Sequence, residues 1–295
     1  SDYGFKSGRT WVAEDTTSAA NVTIAKAPIK EVYFFEGEEK KENEITALTK
    51  TYGEEAALYA HWSSDDQVSV SQKWEVRSGE NGSWKPLEDA GGTSCTVPAF
   101  AYAGTYTYRF TVTCDGYSKS ADITVTVEPA DIARAEVGLS GQGKVMFTPN
   151  PTTGEGTEVS MQTTISFKNR GQTVGEDYIL SGNKGTNVGE YTLTISPAKN
   201  SKKFKGTTTM SWEIIPFPLA SFQLGNTIEK DYDGTTVLPA GWFTGSFAHN
   251  NRYYEGPNAI TLKDSLYTCS ANYTDANVGE NKTIDLALSL KSDNY

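Results

Sequence analysis

Along much of this chain apolar and polar residues alternate one for one. Tyr106, Tyr108, Phe110 and Val112 are interleaved with Thr107, Arg109, Thr111 and Thr113, and Ile123, Val125 and Val127 with Thr124, Thr126 and Glu128. A period of two puts one set of side chains on a buried face and the other in water, which is the pattern of a half-buried strand. The same period returns in Tyr191, Leu193 and Ile195, in Met210, Trp212 and Ile214, in Tyr267, Cys269, Ala271 and Tyr273, and in Ile284, Leu286, Leu288 and Leu290. The best helical candidate is the short stretch from Glu42 to Leu48, and the charge run from Glu36 to Glu44 reads as a solvated loop. The predicted class is all-β.

Proline divides the pattern into blocks. Three alternating strands run into Pro-containing junctions: Val22 to Ile24 into Pro28, Val125 to Val127 into Pro129, and Trp212 to Ile214 into Pro216 and Pro218. Proline has no amide donor and a fixed φ, so it ends ladder pairing and stiffens a short linker. The junctions lie roughly 100 and 90 residues apart, the size of a β-sandwich domain. The reading is therefore 29–128, 129–217 and 218–295 as successive sandwiches, with 1–28 as terminal strands of a preceding repeat. Such short linkers predict tandem immunoglobulin-like sandwiches in an elongated array. A turn recurs before the later strands, as Ala103-Gly104-Thr105-Tyr106, Asn187-Val188-Gly189-Glu190-Tyr191 and Asn277-Val278-Gly279-Glu280. Glycine there is structural, since a tight corner needs its freedom in φ.

Composition narrows the function. Tyr 16, Phe 12 and Trp 6 suit a pleated surface, and a net charge of −11 repels phosphate backbones and anionic lipid, so nucleic acid is not an expected partner. No apolar run approaches the roughly 18 residues of a membrane helix, so no membrane insertion is expected. The chain has two histidines, His61 and His249, and no G-x-S-x-G, H-E-x-x-H, P-loop or G-x-G-x-x-G motif. No enzymatic activity and no cofactor are expected. The acidic pairs Asp65-Asp66 and Asp231-x-Asp233 fall short of the six to eight oxygens, roughly, that calcium takes, so no metal site is expected; Asp233 fits a turn with Gly234 instead. The three cysteines, Cys95, Cys114 and Cys269, show no C-x-x-C spacing.

Three segments carry a resemblance. Residues 29–128 resemble a bacterial immunoglobulin-like domain: Trp74 in Gln72-Lys73-Trp74-Glu75-Val76 takes the place of the core Trp on strand C, and Ala103-Gly104-Thr105-Tyr106-Thr107-Tyr108 resembles D-x-G-x-Y-x-C, with Tyr106 as the tyrosine corner. Tyr108 stands where that family has its second cysteine, so the usual inter-sheet disulfide is absent. Cys95 and Cys114 can both point into the core, as a disulfide or as buried free thiols.

The last segment is more specific. Tyr232-Asp233-Gly234-Thr235-Thr236, followed by Asp275-Ala276-Asn277-Val278-Gly279 and Lys282-Thr283, resembles the YDG repeat of large bacterial surface proteins. Residues 131–217, with Asn187-Val188-Gly189-Glu190-Tyr191, look like the related sandwich repeats found beside it. The resemblance implies a non-catalytic structural or adhesion segment of a secreted or wall-attached surface protein, whose partner is a surface protein or a glycan. Ser1-Asp2-Tyr3-Gly4-Phe5 reads as a variant of Ser292-Asp293-Asn294-Tyr295, and the family's closing strands match residues 1–28 rather than anything after Tyr295. That arrangement leaves two readings open: head-to-tail self-association, residues 1–28 of one chain completing the last domain of another, or residues 1–28 lying along their own immunoglobulin-like domain while the last domain keeps an open edge.

One region departs from the repeats. Residues 241–258 are rich in aromatic and amide groups, and Trp242, Phe247, His249, Tyr253 and Tyr254 form a candidate carbohydrate site, because aromatic faces stack on sugar rings. The competing reading makes Trp242 and Phe247 core residues, with Tyr253 and Tyr254 straddling a strand.

Overall fold

The computed structural model describes residues 28–295 except 65, 66, 89, 226, 240, 241, 243 and 244. The proposed terminal strands at 1–27 and the Asp65-Asp66 pair lie outside the described residues. The chain divides between Pro129 and Ala130 into two compact units.

In the unit ending at Pro129, two sheets enclose one core. The first orders its strands Glu44–Ile45, Glu31–Phe35, Ala56–Ser63, Ser94–Val97; the second orders them Ala47–Thr51, Tyr117–Glu128, Gly104–Cys114, Ser71–Ser78, Lys85–Pro86. Alternation decides the inward faces: Tyr108, Phe110, Val112, Ile123, Val125 and Val127 are buried, whereas Thr107, Thr111 and Thr124 are not. Trp74 joins the sheets, its ring 4.9 Å from Phe110 on the neighbouring strand and 5.7 Å from Phe34 in the opposite sheet. Its indole N–H donates to the carbonyl of Gly92 at 3.0 Å, so the buried polar group has a partner.

Glu42 to Leu48 is not a helix. A single 3-10 turn, Lys41–Asn43, is followed by the strands Glu44–Ile45 and Ala47–Thr51, the latter parallel to Tyr117–Glu128. Sheet pairing outweighs a weak local preference, as it does for any short segment below helix-nucleating length. The charge run is solvent-exposed from Glu36 to Glu42 and is tied down where His61 Nδ1 meets Glu39 Oε1 at 2.7 Å.

The unit 130–295 holds the remaining sheets. One orders its strands Lys144–Met146, Thr208–Ile215, Gly189–Pro197, Tyr178–Ser181, and another orders Glu136–Leu139, Thr163–Phe167 and Arg170–Gly171. Trp212 is buried there, stacked on Tyr191 at 4.7 Å, with its N–H on the carbonyl of Gly182 at 2.8 Å. After Phe217 come two three-stranded sheets: Ser221–Leu224, Gly245–Ala248, Ala259–Ile260, and Val237–Leu238, Tyr267–Tyr273, Ile284–Leu290. The core beside the second of these is thin. Leu238 and Ala271 are its buried centre, with Ile228, Cys269, Tyr273 and Ile284 half-buried around them.

Within this unit the last sheets clasp the loop 147–157. Thr261 and Lys263 donate their backbone N–H groups to Pro151 and Thr153 at 2.9 and 3.0 Å, and Lys263 Nζ meets Glu155 at 2.6 Å. The Tyr295 ring packs edge-on against Phe147 at 5.4 Å, and its hydroxyl donates to the carbonyl of Gly154. Gly154 takes φ 71°, and a Cβ there would lie 2.3 Å from Leu262 Cδ2, so backbone geometry and close approach both demand glycine.

Candidate functional site

Two loops, Tyr232-Asp233-Gly234 and Asp275 to Lys282, line an open cleft of about 690 Å3. Each loop is built round an aspartate that accepts a backbone N–H two residues on, a turn Asp forms readily. Asp233 Oδ1 takes the N–H of Thr235 at 2.8 Å and its hydroxyl at 2.9 Å, while Lys230 Nζ lies 2.7 Å from the same oxygen and donates to the Thr235 carbonyl at 3.0 Å. Asp275 Oδ1 takes the N–H of Asn277 at 2.8 Å and pairs with Lys282 Nζ.

The Lys230 ammonium and the Thr235 N–H hold the Asp233 carboxyl at about 2, and Lys282 with the Asn277 N–H lowers that of Asp275 in the same way. A proton donor for catalysis near neutral pH needs the opposite shift. Both acids are ionised acceptors engaged by their own loops. At the rim Tyr232 and Val278 are exposed, 71% and 84%. No group of three His, Cys, Asp or Glu among the described residues could hold a metal ion.

Residues 215–295 match the YDG domain. The cleft is thus the meeting point of the two motifs that the sequence shares with that family. Residues 46–127 match a family model described as K319L-like, PKD domain, which refines the immunoglobulin-like expectation within the same class of β-sandwich. No curated protein matches the chain.

Solved structures resemble it at the level of fold. The fibronectin(III)-like modules of Clostridium thermocellum CbhA are 13% identical, with 62% of this chain and 94% of that one covered at a TM-score of 0.23. The N-terminal four Ig domains of Dscam1 isoform 6.9 are 9% identical, with 65% and 46% covered at 0.34. Drosophila OTK extracellular domains 3-5 are 10% identical, with 83% and 94% covered at 0.22. The chain spans about half the length of the Dscam1 structure, and likenesses at these scores carry no argument about arrangement or activity.

The aromatic segment of the YDG domain does not form one platform. Phe247 is buried against Phe222 and Tyr267, at 5.1 and 5.4 Å. His249 is also buried; its Nε2 lies 2.8 Å from the carbonyl of Pro257, and its Nδ1 accepts the N–H of Asn251. With Phe217 and Tyr254 it makes a mutual edge-on cluster, centroids 4.9 to 5.1 Å apart. Tyr254 donates its hydroxyl to the carbonyl of Pro149 at 3.0 Å, and Asn251 Nδ2 points to Met146 Sδ at 2.7 Å. Much of this segment therefore belongs to the clasp on the 147–157 loop. Trp242 and Tyr253 are exposed, 43% and 83%; Trp242 is thus not a core residue.

Cys95 and Cys114 are free and buried. Of the two readings of this pair, the structure holds the buried free thiols. Burial pushes the Cys95 thiol up to about 12.

Tyr106 makes the expected corner, donating to the carbonyl of Tyr102 at 2.7 Å. Tyr191 makes a second one to Asn187 at 2.6 Å, which alternation alone does not reveal. The available signal is spacing: each Tyr stands two residues after a glycine, Gly104 at φ 151° and Gly189 at φ 149°. Lys50 is equally silent in the pattern; its side chain is buried and its ammonium bonds the carbonyls of Val97 and Pro98 at 3.3 and 2.8 Å.

Proposed function

We propose that this chain is a non-catalytic structural and adhesion segment of a secreted or cell-wall-attached bacterial surface protein. The observation that carries the reading is the engagement of the motif side chains. Asp233, Lys230, Asp275 and Lys282 bond within their own loops, and Asn187 holds Tyr191, so the most distinctive residues build turns. Sandwiches of the PKD and YDG types fit such a role, and no helix among the described residues is long and apolar enough to cross a membrane. The test is display of the full chain on a heterologous bacterium, with retention under flow measured on immobilised glycans and matrix proteins. Retention above that of an unrelated sandwich protein of equal length is expected. Equal retention would remove the adhesive part of the reading.

A second reading, a carbohydrate-binding surface, is favoured by the exposure of Trp242 and Tyr253. Sugar stacking needs accessible ring surface, and both side chains are exposed. A glycan array decides it: loss of a bound glycan in Trp242→Ala and Tyr253→Ala supports this reading, and no binding by the unaltered chain removes it.

A further inference from the structure

His249 is the one histidine of the unit 130–295, and both of its ring nitrogens are used by the backbone. Asn251 donates its N–H to Nδ1 at 3.2 Å, and Nε2 lies 2.8 Å from the carbonyl of Pro257. A ring nitrogen that accepts an N–H is bare, and one that faces a carbonyl carries a proton. The contacts therefore select the neutral ring with its proton on Nε2. The residue is 8% exposed and packs edge-on against Tyr254 and the fully buried Phe217.

The groups held by that ring are the ones that grip the preceding sandwich. Asn251 sends Nδ2 to Met146, and its backbone carbonyl accepts the N–H of Tyr254 at 3.3 Å, whose hydroxyl reaches Pro149. Phe217, the ring's other aromatic neighbour, donates its N–H to the carbonyl of Asn294. A proton taken up at Nδ1 would set an N–H against the N–H of Asn251, so that bond is lost, and it would place a charge between aromatic rings.

That charge has no partner in place. Among the described residues no carboxylate forms an ion pair with His249. The titratable groups of the elements around it are Tyr254, which touches the ring, Arg252, Tyr253 and Glu255, exposed on the same loop, Glu155, paired with Lys263, and Asp293 and Tyr295 of the closing segment. Burial raises the hydroxyls of Tyr254 and Tyr295, so neither supplies an anion. We propose that His249 is an acid-operated latch, whose protonation at Nδ1 unseats the turn 249–254 and releases the YDG domain from the loop 147–157. Histidine is the side chain that ordinarily changes charge between roughly pH 5 and 8. The chain's other one, His61, lies in the first unit with acidic neighbours at both nitrogens, Glu39 at 2.7 Å and Glu31 at 3.7 Å, which His249 lacks.

Hydrogen exchange followed by mass spectrometry on the full chain, corrected for the intrinsic pH dependence of exchange, tests the latch. From about pH 7.5 to about pH 5.5, protection of the segments carrying Asn251, Tyr254, Thr261 and Lys263 should fall about tenfold, while that of Gly189–Pro197 should hold. His249→Asn, whose side-chain oxygen can take the place of Nδ1 and takes up no proton, should keep the higher protection at both values. Equal protection at both values in the unaltered chain overturns the proposal, and so does a fall of the same size in His249→Asn. If circular dichroism shows that variant unfolded, nitrogen NMR of the unaltered chain decides: the Asn251 and Tyr254 amide signals should move as the His249 ring takes up its proton. A ring that protonates while those signals stay in place overturns the proposal.

Discussion

Asn294 Oδ1 accepts the backbone N–H of Val188 at 2.8 Å, a bond between the end of the YDG domain and the Asn-Val-Gly-Glu turn of the sandwich before it. The same residue's main-chain carbonyl takes the N–H of Phe217 at 2.9 Å, so one asparagine closes the joint from both sides. Asn294→Ala removes the side-chain acceptor, leaves a half-buried N–H without its partner, and keeps the backbone bond to Phe217. A loss of about 1 kcal/mol is expected. Denaturant unfolding followed by tryptophan fluorescence measures it.

The two tyrosine corners act alike. Tyr106→Phe and Tyr191→Phe keep the ring and remove the hydroxyl that donates to the carbonyl four residues back. Each should cost about 1 kcal/mol by equilibrium unfolding. The effect of Tyr191→Phe should appear in the transition reported by Trp212, because the ring of Tyr191 stacks on it at 4.7 Å and the substitution retains that ring.

Strong acid should loosen the YDG cleft. The Asp233 carboxyl is held at about 2 against its ordinary 3.8, so its pairing with Lys230 and Thr235 is fully present above about pH 4 and is lost as pH falls through 2. Asp275, lowered by Lys282 and the Asn277 N–H, changes in the same direction. Carboxyl titration by NMR should show both midpoints below those of the exposed acids. In Asp233→Asn the melting temperature should vary less between pH 4 and pH 2 than in the unaltered chain.

Thiol chemistry checks the core of the first unit. Cys95 and Cys114 are buried and free, with the Cys95 thiol at about 12 and Cys114 raised by burial. Iodoacetamide at pH 8 should leave both unmodified in the folded chain. Unfolding without reductant should give three alkylated cysteines by mass spectrometry; one would mean that a disulfide is present.

Much of the fold is legible in alternation. The inward sets Tyr108, Phe110, Val112 and Ile123, Val125, Val127 lie buried as their period requires, because a strand's two faces are fixed by parity alone. Parity does not say what covers a face. Ile284 to Leu290 alternates as clearly as Tyr191 to Ile195, yet it pairs with one described strand, Tyr267–Tyr273, where Gly189–Pro197 pairs with two, and Leu286 and Leu290 stay partly bare. The aromatic segment is opaque for a related reason. Tyr254 and Asn251 find their partners about 105 residues back, at Pro149 and Met146, and no local pattern encodes a contact at that separation. Glu42 to Leu48 enters strands from Glu44 on, after the 3-10 turn Lys41–Asn43, because so short a stretch has only a weak local preference and sheet pairing chooses.

The YDG domain and the sandwich before it act as one structural piece. Pulling the full chain between its termini in an optical trap tests it most directly. The joint made by Asn294, Tyr295, Tyr254 and Lys263 predicts that residues 130–295 release their length in a single step, separate from the step of the first unit. Release of the YDG domain in an earlier step of its own, with the preceding sandwich still folded, would contradict that claim.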